Sequence, residues 1–253
     1  MNIVVLVKSI PDPNGDAELG DDFLVKRDGE GTLDPGDEYA VEAALQLAEA
    51  SEGEVTAVSM GPEGAVTAIR RALSMGAHRA VMVTDDALRG ADVLATARVL
   101  AAAVGRAPFD LVLTGVESTD GYTGTLPMTV AELIGLPAVT FARKVEVADG
   151  GIRVERQTEA GYDVVESALP ALVTVTAAAT EPRYPTLKGI MGAKQKPLES
   201  LSLPDLGLTP ADVATTQRVV AVEPAPQKGP GEVVEGDAAA GRVADLLAEA
   251  KVI

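Results

Sequence analysis

A loop of glycines, hydroxyl side chains and two acids carries the clearest chemistry in this sequence. Residues 115–125 read GVESTDGYTGT, after an apolar segment predicted to be a strand and before a predicted helix. Glycine lets the backbone approach a phosphate, hydroxyls donate hydrogen bonds, and a helix N-terminus carries partial positive charge. Neither a Walker lysine nor GxGxxG is present. The loop therefore predicts either a nucleotide site or an ordinary solvated loop, and Glu117 and Asp120 favour a ribose hydroxyl or an adenine amine over a triphosphate.

A basic segment stands out in this acidic chain. Residues 183–196 read RYPTLKGIMGAKQK, with four cations and no acid, whereas the whole chain has a formal net charge of −17. Apolar side chains in an irregular surface segment need something to cover them. The segment is either a docking element, whose apolar residues enter a partner and whose cations attract acidic surfaces, or a loop folded back on its own sheet.

The rest of the composition excludes several kinds of site. The chain has no cysteine and a single histidine, His78, so Cys-ligated metals, His clusters and a Ser–His–Asp triad are not expected. His78 follows a predicted helix, where a structural role is expected. The strong negative charge argues against binding to nucleic acid or to anionic membranes. We therefore expect no catalytic residue, no metal site and no membrane insertion, and a cytoplasmic location.

Alternating apolar segments predict the elements that position these loops. Strands are expected at residues 2–10, 54–60, 80–84, 110–114 and 171–177, and helices at 38–50, 65–75, 91–104, 126–134 and 238–251. This alternation is typical of an α/β fold with a doubly wound, mainly parallel sheet. Residues 145–155 predict a β-hairpin extension, and residues 181–199 an irregular segment.

Two domains are expected from the same pattern. Residues 1–200 would form a nucleotide-binding α/β domain, and residues 201–253 an extended C-terminal arm that ends in a helix packed on a partner or on the chain itself.

Four stretches resemble the β subunit of electron transfer flavoproteins, also called the FixA family. They are VLVK at residues 5–8, DPGDEYAVE at 34–42, ALSMGA at 72–77 and EPRYPTLKGIMGAK at 181–194. They occur in the family's order and with similar spacing, and the resemblance extends over nearly the whole chain. The resemblance implies an adenine-nucleotide α-hydrolase-like fold that pairs with a larger α subunit, which mainly binds the redox FAD.

The resemblance also implies a structural AMP in this subunit, with no redox role. In electron-bifurcating relatives a second FAD occupies that place, which leaves an alternative. The expected nucleotide contacts are Leu6, Asp34, Pro35, Gly36, Asp37, Met60, Gly115, Val116, Glu117, Ser118, Thr119, Asp120, Gly121, Tyr122, Thr123, Gly124, Thr125 and Leu126.

The basic segment matches the family's partner-recognition loop, with Leu187 at the anchor position. The expected docking residues are Arg183, Tyr184, Leu187, Lys188, Ile190 and Met191. The implied function is electron transfer from dehydrogenases, such as the acyl-CoA dehydrogenases of fatty acid oxidation, to the respiratory chain through a quinone oxidoreductase. One position departs from the family pattern: Gln157 stands where a carboxylate often pairs with the mobile flavin domain, so this domain-latch candidate carries no charge.

Overall fold

A single large sheet organises the first part of the chain. The structure, a computed structural model, describes residues 1–15, 18–27, 29, 31–148, 150–223, 229, 231–236 and 238–253. The strands are β1 Asn2–Leu6, β2 Ser9–Ile10, β3 Thr32–Leu33, β4 Glu54–Met60, β5 Arg79–Val83, β6 Leu111–Gly115, β7 Ala138–Ala148, β8 Gly151–Thr158, β9 Gly161–Ala168, β10 Ala171–Val175 and β11 Leu198–Leu201. The helices are α1 Pro35–Ala50, α2 Val66–Met75, α3 Val93–Val104, α4 Leu126–Ile134, α5 Leu187–Ala193 and α6 Ala238–Glu249.

The main sheet has nine strands in the order β11-β5-β4-β1-β6-β10-β7-β8-β9. Neighbouring strands from β11 to β7 run parallel, and β7, β8 and β9 pair antiparallel. The separate pair of β2 and β3 is antiparallel. This topology confirms the predicted mainly parallel α/β sheet and its hairpin extension.

Two hydrophobic clusters cover opposite faces of the sheet. Alternation along β1 sends Ile3 and Val5 into the cluster that holds α1 and α2, and Val4 and Leu6 into the cluster that holds α3 and α4. Successive side chains of a strand point to opposite faces, so an apolar run such as NIVVL is buried on both sides. The sheet is thus doubly wound.

The hairpin was predicted to begin at residue 145, whereas its first strand, β7, begins at Ala138. Two further differences concern short elements. The strand expected to run to Ile10 ends at Leu6, and Ser9 and Ile10 pair with β3 outside the main sheet. The segment 181–199, expected to be irregular, contains α5 and the start of β11, which pairs with β5. Both errors concern short elements that form only against partners distant in the sequence.

The chain divides into two compact units, Met1–Arg218 and Val219–Ile253. The boundary lies beyond the predicted one, because Leu201, Leu203 and Val213 are buried in the cluster that holds α3 and α4. The second unit contains α6, whose residues are not buried. In the part of the chain that the structure describes, no helix has both the length and the apolar character that a bilayer crossing requires.

Candidate functional site

The predicted nucleotide residues lie together at the point where the connections after two adjacent strands run to opposite faces of the sheet. β1 and β6 are parallel neighbours, yet α1 covers one face of the sheet and α4, which follows β6, covers the other. Connections that leave adjacent strands toward opposite faces open a crevice at the carboxyl ends of the strands, where α/β proteins commonly bind ligands. The entry to α1 and the loop after β6 line this crevice.

Asp34 joins the two walls of the crevice. As the N-cap of α1, its Oδ1 accepts a hydrogen bond from the N–H of Gly36 at 2.9 Å. Its Oδ2 accepts from the backbone N–H and the hydroxyl of Thr119, at 2.7 and 2.9 Å. One buried carboxylate therefore caps the helix and fixes the loop after β6.

Asp37 is a buried acid in the first turn of α1. Burial, together with the charge of Asp34, raises the pKa of Asp37 to about 8, although hydrogen bonds from the backbone N–H groups of Lys8 and Gly115 oppose the shift. Its Oδ2 accepts a hydrogen bond from the backbone N–H of Lys8 at 2.7 Å. Asp37 is therefore mostly neutral near pH 7, which lowers the negative charge of the crevice.

Gly115 allows this close approach of the two walls. A Cβ at residue 115 would lie 2.8 Å from Oδ1 of Asp37 and 3.3 Å from backbone atoms of Gly36. Any larger residue would push the start of the loop away from α1. The glycine is thus required here by contact with a neighbouring helix.

Asp120, in the middle of the loop, forms ion pairs with two cations. It accepts from the Lys8 amine at 2.6 Å and also pairs with Arg27, which in addition donates to the Ser9 carbonyl at 3.1 Å. Burial would raise the pKa of Asp120, but the hydrogen bonds and charges of Lys8 and Arg27 outweigh it and hold the pKa below its usual value. These pairs tie the loop to the chain that follows β1.

The exposed half of the loop can receive an anion. Residues 121–125 are exposed, and Gly124 adopts a left-handed conformation with φ of 60°. α4 begins at Leu126 with no side-chain cap from the described residues. Pro127 has no N–H, so the backbone N–H groups left for a ligand at this end are those of Leu126 and Met128. Lys8 and Arg27 already pair with Asp120, so the donors left for a ligand are mainly backbone N–H groups and hydroxyls. This set suits one phosphate group better than a triphosphate.

The other expected contacts lie at the same edge of the sheet. Leu6 ends β1, where it is buried beside Thr114 of β6, and half-buried Met60 ends β4. Ser118 accepts from the Lys8 amine at 3.2 Å, and its carbonyl accepts from the N–H of Tyr122 at 2.9 Å. The remaining expected contacts are in the entry to α1 or in the same loop: Pro35, Val116, Glu117, Gly121, Thr123 and Thr125.

The predicted docking residues mostly lie on an exposed surface formed by α5 and the residues before it. Leu187 is 74% exposed and Met191 67%, and Tyr184, Lys188 and Ile190 are exposed too. Thr186 caps α5 by accepting from the N–H of Gly189 at 3.1 Å. We call residues 183–196 the docking segment.

Arg183 differs from the other docking candidates. Its guanidinium pairs with Glu42 and Glu49 of α1, each at 2.6 Å. Its N–H donors therefore point toward α1, and these ion pairs hold the start of the docking segment against that helix.

Gln157, the latch candidate, lies exposed on β8. Its cross-strand neighbour on β9 is Tyr162, whose ring is stacked by the guanidinium of Arg143 with 4.8 Å from Cζ to the ring centre. Gln157 thus sits on an amphipathic outer face of the antiparallel extension, far along the sheet from the crevice.

His78 has a structural contact: its Nδ1 accepts from the Val55 N–H at 3.0 Å. Among the residues whose placement is described, no group of three potential metal ligands occurs.

Sequence reasoning missed the partners that hold these surfaces. Lys8 and Arg27 at the loop, and Glu42, Glu49 and Lys196 around the docking segment, were not identified as site residues. One signal was available in the sequence: Glu42, Gln46 and Glu49 are spaced to form a polar line along a helix whose other residues after the first turn are mostly apolar.

Comparison with known proteins identifies the family. The family model described as "Electron transfer flavoprotein domain" matches residues 22–206. The chain is 41% identical over 264 residues to "Electron transfer flavoprotein subunit beta" of Mycobacterium tuberculosis (strain ATCC 25618 / H37Rv), covering 100% of this chain and 99% of the relative. It is 36% identical over 257 residues to the protein of the same name from Bacillus subtilis (strain 168), and 34% identical over 265 residues to "Caffeyl-CoA reductase-Etf complex subunit CarD" of Acetobacterium woodii, with 100% of each chain covered. The chain therefore belongs to the β-subunit family of electron transfer flavoproteins.

Proposed function

We propose that this chain binds AMP in the crevice between β1 and β6 and pairs with an α subunit that mainly carries the FAD. The heterodimer accepts electrons from dehydrogenases, such as acyl-CoA dehydrogenases, and passes them to a quinone oxidoreductase of the respiratory chain. In this proposal the small subunit contributes a nucleotide-stabilised platform and a docking surface, and no redox step occurs on its side chains.

The arrangement of donors in the crevice is the observation that carries the proposal for AMP. Asp34 and Asp120 fix the loop after β6 at two points, and the exposed loop and the uncapped start of α4 leave donors for a phosphate. The mostly neutral Asp37 limits repulsion of an anion. The local charge thus admits one phosphate despite the strongly acidic chain.

The exposed apolar residues of the docking segment support the role in partner binding. Leu187, Ile190 and Met191 lie on one short helix, and Lys188 and Lys194 are exposed beside them. An apolar centre with cations around it is the arrangement expected of a surface that binds an acidic partner.

The nucleotide content of the complex tests this proposal. The chain would be coexpressed with its α subunit and purified, and the nucleotides released on denaturation would be identified and quantified. One FAD and one AMP per heterodimer is the expected result. Two FAD would support the alternative, an electron-bifurcating flavoprotein subunit that holds a second FAD, and a complex without any second adenine nucleotide would reject both.

A matched pair of glycine variants locates the nucleotide. Gly115→Ala places a Cβ 2.8 Å from Oδ1 of Asp37, so AMP content should fall while FAD content is kept. Gly105→Ala, after α3, makes only contacts of 3.4 Å or longer and should retain AMP. Full AMP occupancy in both variants would place the nucleotide elsewhere.

A further inference from the structure

The helix at the centre of the docking segment cannot hold its own shape. α5 has seven residues, of which two are glycines, and only Ala193 is buried. Isolated helices of this length are unstable in water, and most helix stability in proteins comes from packing. The conformation that presents Leu187, Ile190 and Met191 must therefore be maintained by contacts outside the exposed surface.

Arg183 makes such contacts before the helix. Its Nε and Nη2 donate to the two oxygens of Glu42 at 2.6 and 2.9 Å, and its Nη1 donates to Glu49 at 2.6 Å. Glu42 is 3% exposed, and its Oε2 also accepts from the backbone N–H of Arg183 at 3.2 Å. The planar guanidinium matches two carboxylates at once, which an amine cannot do.

Lys196 makes the corresponding contacts after the helix. Its amine donates to the carbonyls of Leu73 and Ala77 at 2.9 and 2.7 Å, at the carboxyl end of α2. A cation at this end complements the free carbonyls and the helix dipole. Between the two ends, Gly189 packs against α2 so closely that a Cβ there would lie 2.5 Å from the Ser74 carbonyl oxygen.

The four cations of the docking segment therefore form two groups. Lys188 and Lys194 are exposed and form no ion pair with any residue that the structure describes, whereas Arg183 and Lys196 are directed into α1 and α2. Sequence alone presents all four as one basic patch.

We propose that Arg183 and Lys196 are positioning residues, which clamp α5 to α1 and α2 in its docking conformation and do not themselves contact the partner. This proposal rests on the proposed docking function. Release of either end lowers the fraction of molecules in the docking conformation, and the apparent affinity for the partner falls by that same fraction. The exposed lysines act through charge, and thus mainly on the rate of association.

Two lysine variants of equal net charge distinguish the positioning effect of Lys196 from a general effect of positive charge on binding. Lys196→Met and Lys194→Met each remove one cation from the segment. The heterodimer carrying either variant would be compared for amide hydrogen exchange over residues 187–193, and for binding to a purified acyl-CoA dehydrogenase at fixed ionic strength. For Lys196→Met we expect exchange roughly tenfold faster and binding roughly tenfold weaker, because only the fraction of molecules in the docking conformation can bind. Lys194→Met should leave exchange unchanged.

Two further variants test the geometry of the clamp. Lys196→Arg keeps a cation that can donate to both carbonyls and should restore slow exchange and tight binding. Arg183→Lys keeps the charge but loses the fork, and should accelerate exchange as Lys196→Met does.

Equal exchange in Lys196→Met and Lys194→Met would overturn the clamp, whatever happens to binding. Faster exchange with unchanged binding would overturn its role in docking. Failure of the docking function is a separate result: it would appear as normal dehydrogenase binding by Leu187→Ala, and that outcome would also overturn the positioning role.

Discussion

At the scale of single residues, buried acids organise the candidate nucleotide site. Asp34 and Asp37 lie three residues apart at the start of α1, yet they have different tasks. Asp34 accepts three hydrogen bonds and joins helix to loop, whereas Asp37 lies where burial favours its neutral form. Two carboxylates can share a buried crevice when one of them stays protonated, because the repulsion between like charges is then removed.

Asp37 should make stability depend on pH. Its pKa is raised from 3.8 to about 8 by burial, so the stabilisation from its neutral form is complete below pH 3.8 and is lost as pH rises through 8. Between these limits the native state holds a proton that the unfolded state has released, so each unit of rising pH lowers the free energy of unfolding by about 1.4 kcal/mol. Asp37→Asn should remove this slope, measured by urea unfolding at pH 5, 6.5 and 8.

The control for Asp37→Asn is Asp163→Asn, at an exposed position of β9. That variant should keep the slope of the parent protein. If Asp37→Asn kept it as well, Asp37 would be ionised in the native protein and the charge argument for a single phosphate would be wrong.

Residue types singled out the candidate residues of the crevice, whereas the side chains that pair with them could not be predicted from the sequence. The acids and glycines of residues 34–37 and 115–126 are recognisable because they follow strands and precede helices. Lys8 and Arg27 are far from Asp120 in sequence, and only the folded chain brings them within reach of it. Arg183 shows the same limit, since its pairing with Glu42 is invisible without the position of α1.

At the scale of elements, α5 was the main failure of prediction. Long, periodic elements were found near their observed bounds, and α4 was predicted at Leu126–Ile134 as observed. The hydrophobic periodicity of α5 is weak, because the helix is exposed on most sides and is held by polar contacts at both ends. Its sequence therefore resembles a loop, and its helical state depends on α1 and α2.

Two glycines of α5 should respond oppositely to alanine. Gly192 has no atom within 4 Å of a Cβ added there, so Gly192→Ala should stabilise the protein by about 0.5–1 kcal/mol through helix propensity. Gly189→Ala would place a Cβ 2.5 Å from the Ser74 carbonyl oxygen and should destabilise the segment despite the same gain in propensity. Amide exchange of α5 and thermal unfolding would measure both. Equal responses would mean that α5 does not pack on α2 as closely as the structure shows.

The exposed face of α5 should matter for binding and little for folding. Leu187→Ala should weaken binding to an acyl-CoA dehydrogenase by about 1–3 kcal/mol, because exposed apolar anchors commonly dominate protein interfaces. The thermal midpoint should change little, since the side chain is 74% exposed. Leu133→Ala, which removes a partly exposed leucine from α4, is the control and should bind normally. A large loss of stability in Leu187→Ala would show that the segment is part of the core.

At the scale of the whole molecule, one sheet carries both proposed surfaces. The crevice lies at β1 and β6, in the middle of the parallel section, and the docking segment immediately precedes β11, which forms the edge of the same section. α1 links them, because its first turn lines the crevice and Glu42 and Glu49, further along it, hold Arg183. The fold class was predicted from the alternation of strands and helices. That α1 contributes to both candidate sites could be seen only in the tertiary structure.

The second compact unit provides the last test. Its helix α6 contains Val243, Leu246 and Leu247, none of which is buried, and an amphipathic helix of this kind gains stability by packing its apolar side on another surface. We expect that surface to belong to the α subunit. Deletion of residues 238–253 should therefore weaken heterodimer formation, measured by titration of labelled α subunit, while the thermal midpoint of the first unit stays the same. Arg242→Ala, which removes a cation paired with Glu232 but leaves the apolar side intact, should bind nearly as well as the parent chain. An unchanged dissociation constant after the deletion would reject α6 as an interface element.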